Sequence, residues 1–150
     1  MKKLILLFAL GFLCMTDVFA QVEYKIITSV ESIVPNELGR SRMVSTQENR
    51  DYKEFTTERT DEGDKRNKSD RSDIRVKNFE ETKLLNFYNL GGIRFQNIAA
   101  NDAVVTSKIN TMTQEGWELA FVTSAVESDS GNNDGQGIFI TRYIFQRNKQ

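Results

Sequence analysis

The sequence contains no histidine, and its single cysteine, Cys14, lies in an apolar run near the N-terminus. Without histidine the chain cannot form a Ser-His-Asp triad, transfer protons through imidazole near neutral pH, or build most zinc and copper sites. If Cys14 is removed with a leader, thiol catalysis and disulfides are excluded as well. No phosphate-binding loop is present, and Gly135-Gln136-Gly137 lacks the third glycine of a dinucleotide fingerprint. We therefore expect no cofactor and no enzyme activity.

The N-terminus has the pattern of a bacterial export signal. Two lysines precede an apolar run of about a dozen residues, which is shorter than the roughly 20 needed to span a bilayer. Small side chains, Val18 and Ala20, occupy the two positions that signal peptidase reads. We expect residues 1–20 to be a signal peptide cleaved after Ala20, leaving a periplasmic or secreted chain, 21–150. The alternatives are an uncleaved anchor and a lipoprotein modified at Cys14, which the bulky residues before it disfavour.

The remaining chain carries little net charge. Removing the leader leaves 18 basic and 20 acidic residues, a net charge of −2, so we expect no nucleic-acid partner. No second apolar run of membrane length follows, so no membrane span is expected after cleavage. The length of residues 21–150 suits a single domain.

The first half of residues 21–150 changes abruptly from a strand-like pattern to a highly charged stretch. Val22–Ile33 alternates apolar and polar residues, which is typical of a half-buried strand, and a turn over 34–39 ends it. From Glu48 to Lys83, 21 of 36 positions are charged. Few apolar side chains are available there to offset the entropy of ordering, so a charged, partly mobile insertion is predicted at about 48–83. Exposed strands are expected near 51–57 and 74–79.

The segment that follows is ambiguous in sequence. Asn78 and Glu81 have the spacing of a helix start, and Gly91-Gly92 would end such a helix. Ile93–Ile98 would then be a short strand.

A helix and two strands are predicted for the last fifty residues. Asn101 or Asp102 is a natural N-cap, and Gly116 sits where a left-handed residue ends a helix. Between them Val104, Val105, Ile109 and Met112 recur at helical spacing. Trp117–Val126 and Ile138–Arg147 form a hairpin, and both faces of its second strand are apolar, which indicates a central position.

Trp117 is expected in the core, because it shares the spacing of one strand face with Leu119 and Phe121. The predicted fold class is α+β: a small antiparallel β-sheet with one main helix packed on one face and a long charged insertion.

Three short motifs resemble a small bacterial domain-of-unknown-function family built as a strand, a helix and a β-hairpin. They are Tyr24-Lys25-Ile26, Glu115-Gly116-Trp117-Glu118-Leu119 and Tyr143-Ile144-Phe145 with Arg147. The whole chain is also similar to an uncharacterised exported bacterial family that carries G-R-S-R and N-F-Y-N-L-G-G-I-R-F-Q-N-I-A-A-N-D, here 39–42 and 86–102. The resemblance implies a fold and no activity.

Carboxylates and arginines remain as candidate functional groups. Glycosidase chemistry needs only two acids, and six candidates are Glu31, Glu37, Glu80, Glu81, Glu115 and Glu118. Glu127, Asp129, Asn132 and Asp134 offer calcium-type oxygen ligands, although such residues are also common in solvated turns. Arg40 and Arg42, with Arg94, could bind an anion, or could form a charged strand face and structural ion pairs.

The expected function is that of a non-catalytic binding or interaction module of the cell envelope. Its partner would be an unknown envelope protein or glycan, contacted through the charged insertion and the region of Arg40 and Arg42. The alternatives are a carboxylate-dependent hydrolase acting on envelope glycan and a binding protein stabilised by calcium.

Overall fold

A five-stranded antiparallel sheet with a single long helix forms the body of the protein, so the fold is α+β and dominated by its sheet. The computed structural model describes residues 21–32, 40–89, 91–127 and 137–149. The strand order in the sheet is β5-β2-β1-β9-β8, and every neighbouring pair is antiparallel. The elements are β1 (Val22–Ser32), β2 (Arg42–Thr46), a 3-10 helix (Tyr52–Phe55), β3 (Glu58–Thr60), β4 (Gly63–Lys65), β5 (Phe79–Lys83), β6 (Tyr88–Asn89), β7 (Gly92–Ile93), α1 (Phe95–Gln114), β8 (Glu118–Glu127) and β9 (Ile138–Asn148).

The core lies between α1 and one face of the sheet. Six apolar side chains are buried there, and four more pack against them. The buried set is Ile27, Met43, Leu84, Met112, Trp117 and Phe145, and the flanking set is Val104, Val105, Ile109 and Tyr143. The helical spacing of the last turns therefore predicted the buried stripe of α1 correctly, and Gly116 adopts the expected left-handed φ of 82° just beyond the helix. We call the sheet face under α1 the covered face.

The strand β1 is confirmed, but its buried face is the opposite of the one that its alternation indicates. Ile27 and Ser29 lie on the covered face and are buried, whereas Tyr24 and Ile26 point away from the helix and are exposed. Two small polar side chains, Ser29 and Ser45 of β2, are also buried on the covered face. The choice of face is a packing decision that the period-2 pattern does not contain.

The helix α1 begins earlier than its capping residues predicted. It starts at Phe95 after Arg94, which makes no side-chain cap, so the prediction of Asn101 or Asp102 as N-cap is wrong. The predicted strand over 93–98 is wrong for the same reason. Gly92, at φ 94°, turns the short β6–β7 hairpin rather than ending a helix.

Asn101 is buried in the middle of α1 and bonds to other parts of the fold. Its amide nitrogen donates to the Leu85 carbonyl at 2.8 Å and to Glu31 Oε2 at 3.0 Å. Its amide oxygen accepts from the Leu85 N–H at 2.8 Å. One side chain thus satisfies both backbone groups of Leu85, in the connection that leads from β5 toward the helix, and ties them to β1.

A second set of polar contacts holds Asn86, the residue that follows Leu85 in this connection. Ser41 Oγ donates to Asn86 Oδ1 at 2.6 Å and accepts from the Ser32 N–H at 3.0 Å. The Asn97 amide nitrogen donates to the Asn86 carbonyl at 2.7 Å. The connection after β5 is therefore bonded to α1 on one side and to the ends of β1 and β2 on the other.

The charged stretch of the sequence does not form the elements predicted for it. Its end is β5, an edge strand of the main sheet paired with β2, so the predicted short helix from Asn78 is wrong. The segment predicted as strand over 51–57 contains the 3-10 helix, and no strand forms at 74–78. A small exposed hairpin, β3–β4, occupies the middle. A charged insertion spanning all of 48–83 is therefore not confirmed.

Glu48 closes this stretch at its base. Its Oε1 accepts from the backbone N–H groups of Asn78 at 2.7 Å and Lys77 at 3.0 Å, and its Oε2 pairs with Arg50 at 2.5 Å. Arg50 also donates to the Arg75 carbonyl at 3.0 Å. Hydrogen bonds from Asn78, and then from Lys77 and Arg50, favour the ionised carboxylate and hold the pKa of Glu48 below its usual value of 4.5.

Several predictions concern residues outside the described ranges: the signal peptide 1–20, the turn over 34–39, and Asp129, Asn132 and Asp134 in the calcium candidate. None of the helices in the described ranges is long and apolar enough to cross a membrane.

Replacing the buried Asn101 by alanine should lower the free energy of unfolding by about 2–4 kcal/mol, because it removes three hydrogen bonds, two with the backbone of Leu85 and one with Glu31. Urea unfolding followed by circular dichroism measures this loss. Asn97→Ala, which removes one bond from a half-buried side chain, is the matched control and should cost about 1 kcal/mol. A loss for Asn97→Ala as large as that for Asn101→Ala would contradict the central role of Asn101.

Replacing Glu48 by glutamine should lower the melting temperature near neutral pH and have progressively less effect as acid is added. The folded pKa of Glu48 is depressed, so its contribution is complete above the unfolded value of 4.5 and is lost as the pH falls through the folded value. Thermal melts of both proteins between about pH 7 and pH 3 measure the difference. Glu62→Gln, in the exposed turn between β3 and β4, is the control. A melting difference that stayed constant over this range would disprove the assignment.

Candidate functional site

The sheet face opposite α1 has no covering element among the described residues, and we call it the open face. Exposed or half-buried apolar side chains lie on it toward both edges of the sheet, and we call this set, Phe79, Ile26, Ile144 and Phe121, the apolar row. On one side Phe79 of β5 pairs with Thr46, and on the other Phe121 of β8 pairs with Ile144, which in turn pairs with Ile26. Phe121 is 62% exposed, and Phe79 and Ile26 are each nearly half exposed. Large apolar side chains exposed together on one face of a sheet can mark a binding surface.

Polar side chains border the apolar row. Arg42, on the open face of β2, forms an ion pair with Glu81 of β5, with Nε and Oε1 2.6 Å apart. Arg42 also donates to the Ser41 carbonyl at 2.7 Å. Tyr24, one of the most exposed large side chains at 65%, lies on the same face of β1. The open face therefore combines aromatic rings with a fixed ion pair, a mixture typical of protein-binding surfaces.

A β-bulge places Phe121 on this face. The register of β8 against β9 shifts between Leu119 and Phe121, so one additional residue is accommodated there. Leu119 pairs with the buried Phe145 on the covered face, whereas Phe121 points to the open face. The prediction that Trp117, Leu119 and Phe121 share one face is therefore wrong for Phe121, although Trp117 is in the core as expected.

Beside the apolar row, the first half of β1 has a free edge in the described part of the chain. Pairing with β2 covers Ile27 to Val30, while pairing with β9 extends along the whole strand. The gap forms a notch of about 420 Å³. It is lined by residues 23–26 of β1, by Thr46, Gln47 and Asn49 after β2, and by Trp117.

Trp117 is held at the notch by Arg147. The guanidinium carbon of Arg147 lies 4.2 Å from the centroid of the indole ring, a cation–π contact. The same guanidinium pairs with Glu23 at 2.5 Å and donates to the Glu115 carbonyl at 3.3 Å. These contacts give the E-G-W-E-L and C-terminal arginine motifs a structural role, because they connect the end of α1 to the beginning of β1.

Acidic side chains gather in a different place. A cleft of about 390 Å³ in the charged stretch is lined by Asp51, Glu54 and Asp73, together with Arg50. Two of these carboxylates accept from nearby backbone N–H groups: Asp51 from Lys53 at 3.0 Å and Asp73 from Asp70 at 2.8 Å. Both therefore stabilise local turns, and none of the three was among the acids singled out in the sequence.

The acids singled out in the sequence are distributed over both faces. Glu31 bonds to Asn101 on the covered face, and Glu81 pairs with Arg42 on the open face. Glu80 pairs with Lys108 of α1 at 2.8 Å, and this hydrogen bond lowers the pKa of Glu80. Glu118 accepts from Gln146 at 3.3 Å. Glu115 ends α1: its backbone N–H donates to the Thr111 carbonyl at 3.0 Å, and its carbonyl accepts from Arg147. Glu37 lies outside the described residues.

The three arginines of the anion-site hypothesis occupy different environments. Arg42 is ion-paired on the open face of the sheet. Arg94 immediately precedes α1, the helix that packs on the covered face. Arg40 is exposed and follows the residues 33–39 that lie outside the described ranges. No hydrogen bond within the described ranges joins them. The ion pair of Arg42 agrees with the alternative prediction of a structural ion pair. Anion binding by the three arginines stays a prediction.

The calcium hypothesis also stays a prediction. Glu127 ends β8, and the other three candidate ligands lie outside the described residues. Within the described ranges, no group of three or more acidic, cysteine or histidine residues could hold a metal ion.

Comparison with known proteins finds no matching family model, no matching curated protein and no matching solved structure. The resemblance of the short motifs to a bacterial domain family therefore stays a prediction, and the geometry above carries the functional argument.

Proposed function

We propose that this chain is an exported, non-catalytic interaction module of the cell envelope, and that it binds an envelope protein through the open face. The observation that carries the proposal is the apolar row, with Phe79 and Phe121 exposed at its two ends. Exposing such side chains to water is unfavourable, and burying them against a partner would recover about 25 cal/mol per Å² of apolar surface. Aromatic anchors bordered by charge are also common at the centres of protein interfaces.

The notch and the charged stretch extend the proposed contact. Asn49 lines both the notch and the acidic cleft, so the two concave surfaces adjoin. A partner seated on the apolar row could therefore reach the charged stretch, which supplies both signs of charge for selectivity. Export belongs to the same proposal, because the chain meets an envelope partner only after export, and cleavage after Ala20 is the route that the sequence predicts.

The double variant Phe79→Ser with Phe121→Ser should lose capture of the envelope partner. The full chain, expressed with a C-terminal tag, is recovered from the periplasm or medium, and mass spectrometry should show that it begins at Gln21. Proteins captured from envelope extract are then quantified for the wild type and the variant. We expect at least about a tenfold loss of every specific partner, because interface aromatics carry a large share of the binding energy.

Phe95→Ser is the matched control. Phe95 is 76% exposed at the start of α1 and does not lie on the sheet, so its loss should leave capture unchanged. Equal capture by the double variant and the wild type would contradict binding through the open face. A mature N-terminus elsewhere than Gln21, or retention in the cytoplasm, would contradict the export part.

The alternative is a carboxylate-dependent hydrolase acting on envelope glycan, and the acidic cleft is the feature that favours it. Two acids flanking a bound sugar are enough for this chemistry. Under our proposal the wild type releases no reducing sugar from purified peptidoglycan. Release by the wild type that Asp73→Asn abolishes, at an unchanged melting temperature, would instead establish the alternative.

A further inference from the structure

The outer edge of β8 is a free strand edge in the described part of the chain. The strand is at the end of the sheet and pairs only with β9. All of residues 118–126 are exposed, and none of residues 119–126 is charged, glycine or proline. A strand edge presents unpaired N–H and C=O groups, and proteins usually protect long edges with lysine, proline or a covering element. Among the described residues, only the bulge near one end interrupts this edge.

The geometry points to a homodimer in which β8 of one copy pairs antiparallel with β8 of a second copy. The two sheets would then join into one, with ten strands from two sets of five. Dimerisation through this edge does not require the envelope partner proposed above. Each copy brings an identical edge, so two-fold symmetry satisfies the unpaired backbone groups of both strands at once.

The bulge determines the register of this pairing. From Phe121 to Glu127 the residues of β8 alternate between the two faces of the sheet without interruption, and Ser124 is the midpoint of that stretch. A symmetric pairing that uses the whole stretch therefore places Ser124 opposite Ser124 of the partner subunit. In the same register Val122 faces Val126 of the partner subunit twice, once on each side of the axis.

The chemistry of the paired side chains favours a second copy. Val122 and Val126 are 45% and 55% exposed on the covered-face side of β8, and cross-strand pairs of β-branched residues are favourable. No like charges stand opposite each other in this register. The symmetry axis is perpendicular to the sheet, so both helices lie on one side and both open faces on the other. The two apolar rows would then belong to one continuous surface.

Sedimentation equilibrium of the purified full chain tests the dimer. We expect a dimer for the wild type, and a dimerisation constant at least about tenfold weaker for Ser124→Lys and for Ser124→Glu, because each places like charges opposite each other. An equimolar mixture of the two variants should restore dimerisation. Thr82→Lys, the same kind of change on the opposite edge strand β5, is the control and should dimerise like the wild type. Circular dichroism confirms that each variant is folded.

Cross-linking tests the register directly. In a Cys14→Ser background the chain has no other cysteine, so oxidation of Ser124→Cys should give a covalent dimer. Val126→Cys should not, because it faces Val122 of the partner subunit rather than its own copy. A monomeric wild type, failure of the charge-swapped mixture to dimerise, or equal cross-linking by both cysteine variants would each overturn the inference.

Discussion

The amide of Asn101 is the contact on which the arrangement of helix and sheet most depends. It lies in the middle of α1, is 3% exposed, and completes the hydrogen bonding of Leu85 in the connection that leads from β5 toward the helix. An apolar residue at this position would deprive the N–H and C=O of Leu85 of their side-chain partner. The bond to Glu31 extends the same contact to β1. Helix, connection and central strand are therefore positioned by one side chain.

A one-sided core follows from this arrangement. The helix is attached to one face of the sheet, where the small side chains Ser29 and Ser45 are buried. Their hydroxyls have no hydrogen-bond partner among the described residues, a cost that the packing above them must offset. With one long helix for five strands among the described residues, Phe79, Phe121 and Ile26 on the other face stay in contact with solvent. The exposed apolar row is thus a consequence of the fold as well as the basis of the proposed function.

Patterns within a single element predicted the local structure well. Helical spacing identified the buried stripe around Val104 and Met112, and Gly116 marked the helix end, because a left-handed residue is needed there. The paired strands β8 and β9 were also predicted, and β9, both of whose faces are apolar, lies inside the sheet as expected. Capping residues were misleading, since Asn101 has the side chain of a helix start but serves a distant backbone. The elements within the charged stretch were predicted wrongly, because pairing with β2 orders β5 in spite of its polar sequence.

What the sequence determined by itself is the set of elements at the C-terminal end and the chemistry available to the chain, which has no histidine and only Cys14 as a thiol. Both depend on residue type and on spacing within one element. The tertiary structure alone decided which face of β1 is buried and that a bulge turns Phe121 outward. A strand offers two faces at equal local cost, and only packing against α1 distinguishes them. The candidate surface is the face that this packing left uncovered.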